Sequence, residues 1–303
     1  MTSLTNVMSA KAVTNFRFGL RLTLMTTVTP HSTTPPLQVI QPRRGVWPID
    51  PGELWRYRDL LWFLALRDVQ VIYKQTLLGV LWAIIRPTLS MVVFTLLMGK
   101  VLGIERMSDP VFVFAGLVPW TLFASYVTAS TNSLVNNAAL VTKVYFPRPL
   151  MPLSAIGVPL VDFAMSMTVL AVMMVVLGSA FTSGLWLMGP LLLSTVIAAL
   201  GVGIGLSAAT VYFRDVRHAI PFLIQTMFFI TPVMYPKSII PEAYHWVYWV
   251  NPIAGPIEAF RAAITGTPID AMAGGCSTAV AGLLVAIGMY GFGRAERKFA
   301  DVV

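Results

Sequence analysis

A short charged segment between two long apolar runs has the residue types of a protein-docking element. Residues 137–150 supply two cations, two aromatic rings and a helix-stopping proline: Lys143, Tyr145, Phe146, Pro147 and Arg148. Cations can pair with acidic groups of a partner, and aromatic side chains are the anchors that dominate protein interfaces. Two interpretations stay open on these residues alone, a docking element and an ordinary polar loop.

Two charged residues, Arg86 and Asp162, lie inside apolar runs. A charge at membrane depth is costly and is a functional hypothesis by default. At about 1.5 Å per helical residue, Arg86 lies about 14 Å and Asp162 about 18 Å into its run. These similar depths predict an intramembrane ion pair, and the rival hypothesis places Arg86 on the wall of a polar path.

The residues that could bind metal or nucleotide phosphates are too scattered to form a site. The histidines, His31, His218 and His245, are far apart, and the single cysteine, Cys276, excludes an internal disulfide. The sequence contains neither H-E-x-x-H nor the phosphate-binding loop G-x-x-x-x-G-K-[ST]. We therefore expect no metal, no cofactor and no catalytic residue in these 303 residues.

The elements that position these residues are membrane helices. Hydrophobic residues make up 56% of the chain and charged residues 11%, with a mean hydropathy of +0.75. A bilayer core about 30 Å thick needs about 20 apolar residues as helix. Six runs meet or approach that length, at 77–102, 111–134, 150–177, 185–211, 219–234 and 274–292. The sequence predicts an all-α integral membrane protein with six transmembrane helices over 77–293.

The basic residues predict the orientation. Most of the 21 lysines and arginines fall before the first run or in the 143–148, 214–217 and 294–298 segments. Because cytoplasmic flanks retain positive charge, both termini are expected in the cytoplasm, including a tail at 294–303. Topology thus explains the net charge of +8 without nucleic acid. Residues 1–46, rich in Ser, Thr and Pro, are predicted to be a largely disordered extension.

Two further segments are helical but do not fit a span. Residues 47–76 carry apolar side chains at three- and four-residue steps, a pattern typical of an interfacial helix. A gate at the cytoplasmic mouth and a plain membrane anchor both fit that helix. Residues 235–266 are aromatic and broken by proline, which predicts a re-entrant pair of short helices. The gate interpretation uses Trp55, Trp62, Arg67, Asp68, Tyr73 and Lys74.

Five strings of the sequence resemble the permease subunits of bacterial ABC exporters for polysaccharide, of the O-antigen, teichoic acid or capsule type. In chain order they are RDLLWFLALRDVQVIYKQTLLGVLWAIIRP, FAGLVPWTLF, NSLVNNAALVTKVYFPRPLMPL, YFRDVRHAIPFLIQTMFFITPVMYP and NPIAGPIEAFR. The resemblance implies a homodimer in the inner membrane, two separate subunits that bind ATP and Mg²⁺, and a lipid-linked polysaccharide as substrate. It also implies that residues 137–150 form the coupling element for the ATPase. A weaker second coupling candidate is Arg214, Asp215 and Arg217, which could equally be topology determinants near the lipid surface.

Aromatic side chains with few fixed charges suit a sliding glycan, because sugars present apolar faces as well as hydroxyls. Many of these rings could equally be interfacial belts. The predicted substrate path comprises Arg86, Phe94, Trp120, Phe123, Tyr126, Phe228, Phe229 and Tyr235. The predicted external gate, which could instead be a rigid cap, comprises Tyr244, Trp246, Tyr248, Trp249, Asn251, Glu258 and Arg261.

Two other classes of protein stay open as alternatives. An ABC exporter of drugs or small lipids would share this architecture. A membrane-embedded sugar polymerase or ligase would need a cluster of acidic, histidine or arginine residues at one membrane face, and the outer side has only scattered ones.

Overall fold

A computed structural model describes residues 51–74, 81–101, 103–179, 183–213 and 215–296. Residues 1–46, Arg214 and the tail beyond 296 lie outside these ranges, as do parts of the predicted 47–76 and 77–102 segments. The described residues contain helices and no strand.

Twelve α-helices follow one another in these described residues. They are α1 (Pro51–Arg56), α2 (Arg58–Lys74), α3 (Leu81–Phe94), α4 (Pro110–Asn136), α5 (Ala138–Lys143), α6 (Leu150–Ser154), α7 (Gly157–Val176), α8 (Met188–Tyr212), α9 (Val216–Ile230), α10 (His245–Val250), α11 (Ala254–Thr265) and α12 (Ala271–Glu296). The helix of α3 continues as a π-helix, Thr95–Val101.

Five helical stretches are long and apolar enough to cross a bilayer: Leu81–Val101, Pro110–Asn136, Leu150–Val176, Gly184–Tyr212 and Ala271–Glu296. The predicted run at 219–234 is different, because α9 has 15 residues and ends at Ile230. At about 1.5 Å per residue it is about 22 Å long, short of a bilayer core. Thr231 is extended at φ −82° and ψ 137°, as expected of a residue that precedes proline.

α4 is the central helix of the bundle. In its most apolar stretch 78% of residues are buried, against 17% for the stretch that begins with α3. α8 packs closely on α4, since a Cβ on Gly203 would lie 2.6 Å from the Tyr126 ring. α12 packs closely on α8, since a Cβ on Gly288 would lie 3.1 Å from the carbonyl oxygen of Gly201. Small residues allow this approach of membrane helices.

The apolar residues of α2 do not form the single face that the sequence suggested. Leu64 and Ala65 are buried against α6 and α7, whereas Trp55 is 71% and Trp62 66% exposed. The contact is close, because a Cβ on Gly157 of α7 would lie 3.0 Å from the Cβ of Ala65. One side of α2 therefore packs on the bundle, while the indole rings of Trp55 on α1 and Trp62 on α2 face the surroundings.

Candidate transport path and docking surface

The two predicted cytoplasmic loops and the end of α12 meet at one end of the bundle, here called the loop end. It comprises residues 136–150, 212–213, 215–217 and 292–296. The Tyr212 hydroxyl donates to the carbonyl oxygen of Ala295 at 2.9 Å, and Arg217 Nη2 donates to Asn136 Oδ1 at 3.2 Å. Asp215 stands directly before α9. The element order thus brings the segments together as the topology predicts.

The adjacent aromatic residues of the docking segment have opposite environments. Tyr145 is 69% exposed, whereas Phe146 is 5% exposed and packs with Leu134, Leu150 and Phe292. The prediction that both rings contact a partner is therefore wrong for Phe146. Its ring lies in the core, because the chain turns back toward α6 directly after it.

Arg148 is also engaged within the chain. Its Nη1 donates to the carbonyl oxygen of Glu296 at 3.0 Å, and its backbone N–H donates to the Glu296 carboxylate at 3.4 Å. Pro147, between these two anchors, is buried. The longest exposed stretch of the segment is thus Thr142 to Tyr145. A glutamate at the end of the last span therefore contacts the arginine, a pairing that the sequence analysis did not predict.

A cavity of about 940 Å³ opens beside the loop end, between α2, α3, α4 and α7. Its polar walls come largely from α4 and α7, through Thr121, Ser125, Thr128, Ser133, Asn136, Asp162 and Ser166. Its α2 wall carries Arg67, Asp68 and Tyr73, three of the predicted gate residues. Lys74, another of that set, donates to Gln70 at 3.4 Å on the same helix.

Hydrogen bonds tie the α2 wall to the opposite walls. Arg67 pairs with Asp68 at 2.7 Å, and the same Nη2 donates to Asn137 Oδ1 at 2.8 Å. Further along α2, the Tyr73 hydroxyl donates to the Asp162 carboxylate. The sequence analysis did not predict a role for Asn136 and Asn137. The signal that could have indicated one is the pair of adjacent amide side chains at the end of a span.

The proposed partners Arg86 and Asp162 both line this cavity. The guanidinium lies over the Trp82 ring at 5.8 Å. The hydrogen-bond donor to the Asp162 carboxylate is Tyr73. Arg86 therefore lies on the wall of a polar cavity, and both the ion pair and the path hypothesis stay predictions.

Five of the predicted path aromatics form one connected cluster. Trp120 lies 5.6 Å from Phe123 and 5.5 Å from Phe228, measured between ring centroids. Phe228 in turn contacts Phe94 at 6.0 Å and Phe229 at 5.5 Å. Exposure divides the cluster, since Phe229 is 62% exposed and Phe123 is fully buried.

Tyr126 also lies in the core, not on a surface. Its hydroxyl donates to the carbonyl oxygen of Pro152 at 2.9 Å, and its ring is fully buried. Burial within one chain gives Phe123 and Tyr126 a packing role, in place of the predicted contact with substrate. Tyr235 caps the end of α9 by donating to the carbonyl oxygens of Phe229 and Ile230.

At the opposite end of the bundle, a buried arginine holds the non-helical residues after α9. Arg261 is 2% exposed, and its Nη2 donates to the carbonyl oxygens of Pro232 and Val233 at 3.1 and 2.7 Å. Its Nη1 pairs with Glu258 at 3.2 Å. Non-helical backbone is tolerated at membrane depth only where protein satisfies its polar groups. These contacts are called the arginine clasp below.

The other residues predicted for the external gate divide between surface and interior. Tyr244 and Trp246 are 59% and 61% exposed, whereas Tyr248 is 3% exposed and packs with Trp249. Asn251 Nδ2 donates to Thr231 Oγ1 at 2.7 Å, so α10 is bonded to the residues that follow α9.

One ion pair outside the spans connects this end to the start of α12. Lys237 Nζ lies 2.6 Å from the Asp270 carboxylate. The hydrogen bond from Lys237, and then the backbone N–H of Ala273, hold the pKa of Asp270 below its usual value.

These features define a helical membrane protein whose polar cavity adjoins an exposed loop. Among the described residues, no three His, Cys, Asp or Glu side chains form a group that could hold a metal ion. A multi-span helical bundle of this kind is an integral membrane protein in class. The chain belongs to the ABC-2 type transporter family, which matches residues 59–265.

Characterised relatives cover most of the same region. The O-antigen export system permease protein RfbA of Klebsiella pneumoniae is 32% identical over 204 residues, 67% of this chain and 79% of the relative. RfbA of Myxococcus xanthus is 33% identical over 218 residues, 69% of this chain and 82% of the relative. The polysialic acid transport protein KpsM of Escherichia coli is 27% identical over 209 residues, 66% and 79% of the two chains.

Proposed function

We propose that this chain is the permease subunit of an ABC exporter that moves a lipid-linked polysaccharide across the bacterial inner membrane. The names of the relatives support the substrate class, and one structural observation carries it. The cavity beside the loop end combines hydroxyl and amide groups with the indole of Trp82. Hydroxyls and amides suit the rims of sugar rings, and an aromatic face suits their C–H surfaces.

The working unit in this proposal is a homodimer with two ATP-binding subunits. ATP is assigned to those partners because this sequence has no G-x-x-x-x-G-K-[ST] loop. Lys143 and Tyr145 form the docking contact on each permease, with Asp215 and Arg217 beside them at the loop end. Phe146 and Arg148 hold the docking segment onto the permease itself.

The proposed topology has six crossings with both termini in the cytoplasm. The fifth crossing consists of α9 together with residues 231–235, in which the arginine clasp satisfies the carbonyl oxygens of Pro232 and Val233. α1 and α2 lie in the cytoplasmic membrane surface, where the exposed Trp55 and Trp62 suit the headgroup region. α10 and α11 form a re-entrant pair that closes the outer mouth.

The substrate in this scheme approaches past α2 and the cavity. Arg86, Phe94, Trp120, Phe228 and Phe229 line its path, and the exposed Tyr244 and Trp246 face the outer mouth. The chain performs no chemistry on the glycan and provides the path only.

A deletion strain tests the function directly. We expect undecaprenyl-linked glycan to accumulate inside cells that lack this protein and surface glycan to disappear, with both restored by the wild-type gene. Export of a drug or small lipid with unchanged surface glycan would contradict the polysaccharide assignment. Purification of the wild-type protein without any ATPase subunit would contradict the exporter assignment altogether.

A further inference from the structure

Two consecutive asparagines stand where α4 ends and the docking helix α5 begins. Asn137 has φ −113° and ψ 25°, so the helix is interrupted there. Its Oδ1 accepts a hydrogen bond from Arg67 of α2, and Oδ1 of Asn136 accepts one from Arg217 of α9. The junction between α4 and α5 is therefore hydrogen-bonded to two other helices, α2 and α9.

The other end of the docking segment is fixed. Phe146 is buried among core side chains, and Arg148 is bonded to Glu296 at the end of α12. When a partner pushes on the exposed Lys143 or Tyr145, the end of the segment at Phe146 and Arg148 is held in place. The other end, where the helix is interrupted at Asn137, is less constrained. Movement is concentrated at the asparagine junction.

α2 is arranged to convert such movement into a change at the cavity. It is held against α7 by the close contact of Ala65 with Gly157. Arg67 lies two residues beyond that contact, and Tyr73 lies eight residues beyond it, or about 12 Å at about 1.5 Å per residue. A small displacement of Arg67 about the Ala65 contact becomes a larger one at Tyr73, whose hydroxyl bonds Asp162 across the cavity.

We infer that Asn137 and Arg67 are positioning residues that transmit movement of the docking helix to α2, separating Tyr73 from Asp162 and widening the cavity. The bond between Asn136 and Arg217 passes the same movement to α9. This inference rests on the proposed function, since it takes the docking helix as the contact of the ATPase.

The side chains at the junction permit a variant that keeps the fold. Arg67 retains its ion pair with Asp68 when Asn137 is replaced, so no charge is left unpaired. Asn137→Leu removes the acceptor for Arg67, whereas Asn137→Asp keeps an acceptor at the same place. Both changes lose the amide donor to the Ser133 carbonyl equally, so the comparison isolates the bond to Arg67. Asn132→Leu is the matched control, because this asparagine bonds within α4.

Cavity access can be followed with one cysteine. In a Cys276→Ser background, Ser125→Cys places a thiol on the cavity wall. The full exporter, permease with its ATPase, is reconstituted in lipid nanodiscs and labelled with a water-soluble maleimide, with and without ATP and vanadate. We expect nucleotide to change the labelling rate about fivefold or more, the lower end of typical coupling factors. Asn137→Leu should abolish that response, while Asn137→Asp and Asn132→Leu retain it.

Co-purification with the ATPase distinguishes a defect in transmission from a defect in docking. Asn137→Leu should still purify with the ATPase, because the proposed docking contacts Lys143 and Tyr145 are unchanged. An unchanged labelling response in Asn137→Leu, or a parent protein with no nucleotide response, would overturn the inference. Absence of the ATPase from the parent preparation is a distinct result, which refutes the proposed function.

Discussion

Gly116 on α4 should be irreplaceable, because the arginine clasp occupies the space of its side chain. A Cβ at this position would lie 2.2 Å from the carbonyl oxygen of Val233 and 2.4 Å from Nη2 of Arg261. Real Cβ atoms do not approach backbone oxygens so closely, and the guanidinium already lies over Phe112 at 4.2 Å. Gly116→Ala must therefore displace either the residues after α9 or Arg261 itself.

The size of the effect follows from what the clasp satisfies. Overpacking alone typically costs about 1–3 kcal/mol. Arg261→Met would leave the carbonyl oxygens of Pro232 and Val233 without their donor, at about 1–3 kcal/mol for each buried group. It would also strip Glu258 of its partner. We expect about 3–5 kcal/mol for Arg261→Met, the range for breaking a buried charged pair.

The assay is thermal unfolding of the purified protein in detergent, with Gly282→Ala as control. Gly282, on α12, has no heavy atom within 4 Å of its would-be Cβ, so its alanine should leave the midpoint unchanged or higher. Because Gly116→Ala and Arg261→Met disrupt one clasp, the double variant should lose less stability than the two single losses added together. A Gly116→Ala protein as stable as Gly282→Ala would refute the reasoning.

Three further predictions follow from individual side chains. Tyr145→Ala should abolish ATPase co-purification and leave the thermal midpoint unchanged. Phe146→Ala should instead cost about 3–5 kcal/mol of stability, because it leaves a cavity in the core. Equal losses of thermal stability in the two variants would contradict the opposite burial of these side chains. Tyr126→Phe should lower the free energy of unfolding by about 1 kcal/mol, read from denaturant titration, because one buried hydrogen bond to a backbone carbonyl is lost; an unchanged value would mean that the bond contributes nothing. Lys237 lowers the pKa of Asp270, so this carboxylate contributes stability above its unfolded pKa of about 3.9 and loses it as pH falls through the folded value. The thermal midpoint should thus fall less steeply below about pH 4 in Asp270→Asn than in the wild type, by a small margin because the pair is partly exposed, and parallel profiles would contradict the assignment.

Apolar length was a reliable guide to the helices that form long runs. The second run was predicted at 111–134 and is found as Pro110–Asn136, because its apolar length outweighs the helix-interrupting signal of Pro119. The fifth run ends early for a reason that was visible in the sequence: Pro232 forces the residue before it out of the helix. What hydropathy could not supply was the compensation for that early end, since Arg261 lies 29 residues away along the chain.

The burial of individual side chains in the candidate site could not be predicted from the sequence. Tyr145 and Phe146 are adjacent, aromatic and equivalent by composition, yet one is exposed and the other lies in the core. Their difference depends on where α6 and the end of α12 lie, which is a tertiary property. The sequence places Arg67 and Tyr73 near the membrane surface and so predicts them as gate residues. Their partners Asn137 and Asp162 depend on how the helices pack, which the sequence does not indicate.

The unequal packing of the membrane helices indicates which of them can move at low cost. α4, α8 and α12 interlock through glycines, so separating them would break close helix contacts. α3 packs less extensively on its neighbours than α12 does on α8, so shifting it disrupts less of the bundle. The stiffness of this permease is therefore concentrated on one side of the molecule. A wide polymer would be admitted by displacing the loosely held helix, while the interlocked three serve as the fixed frame.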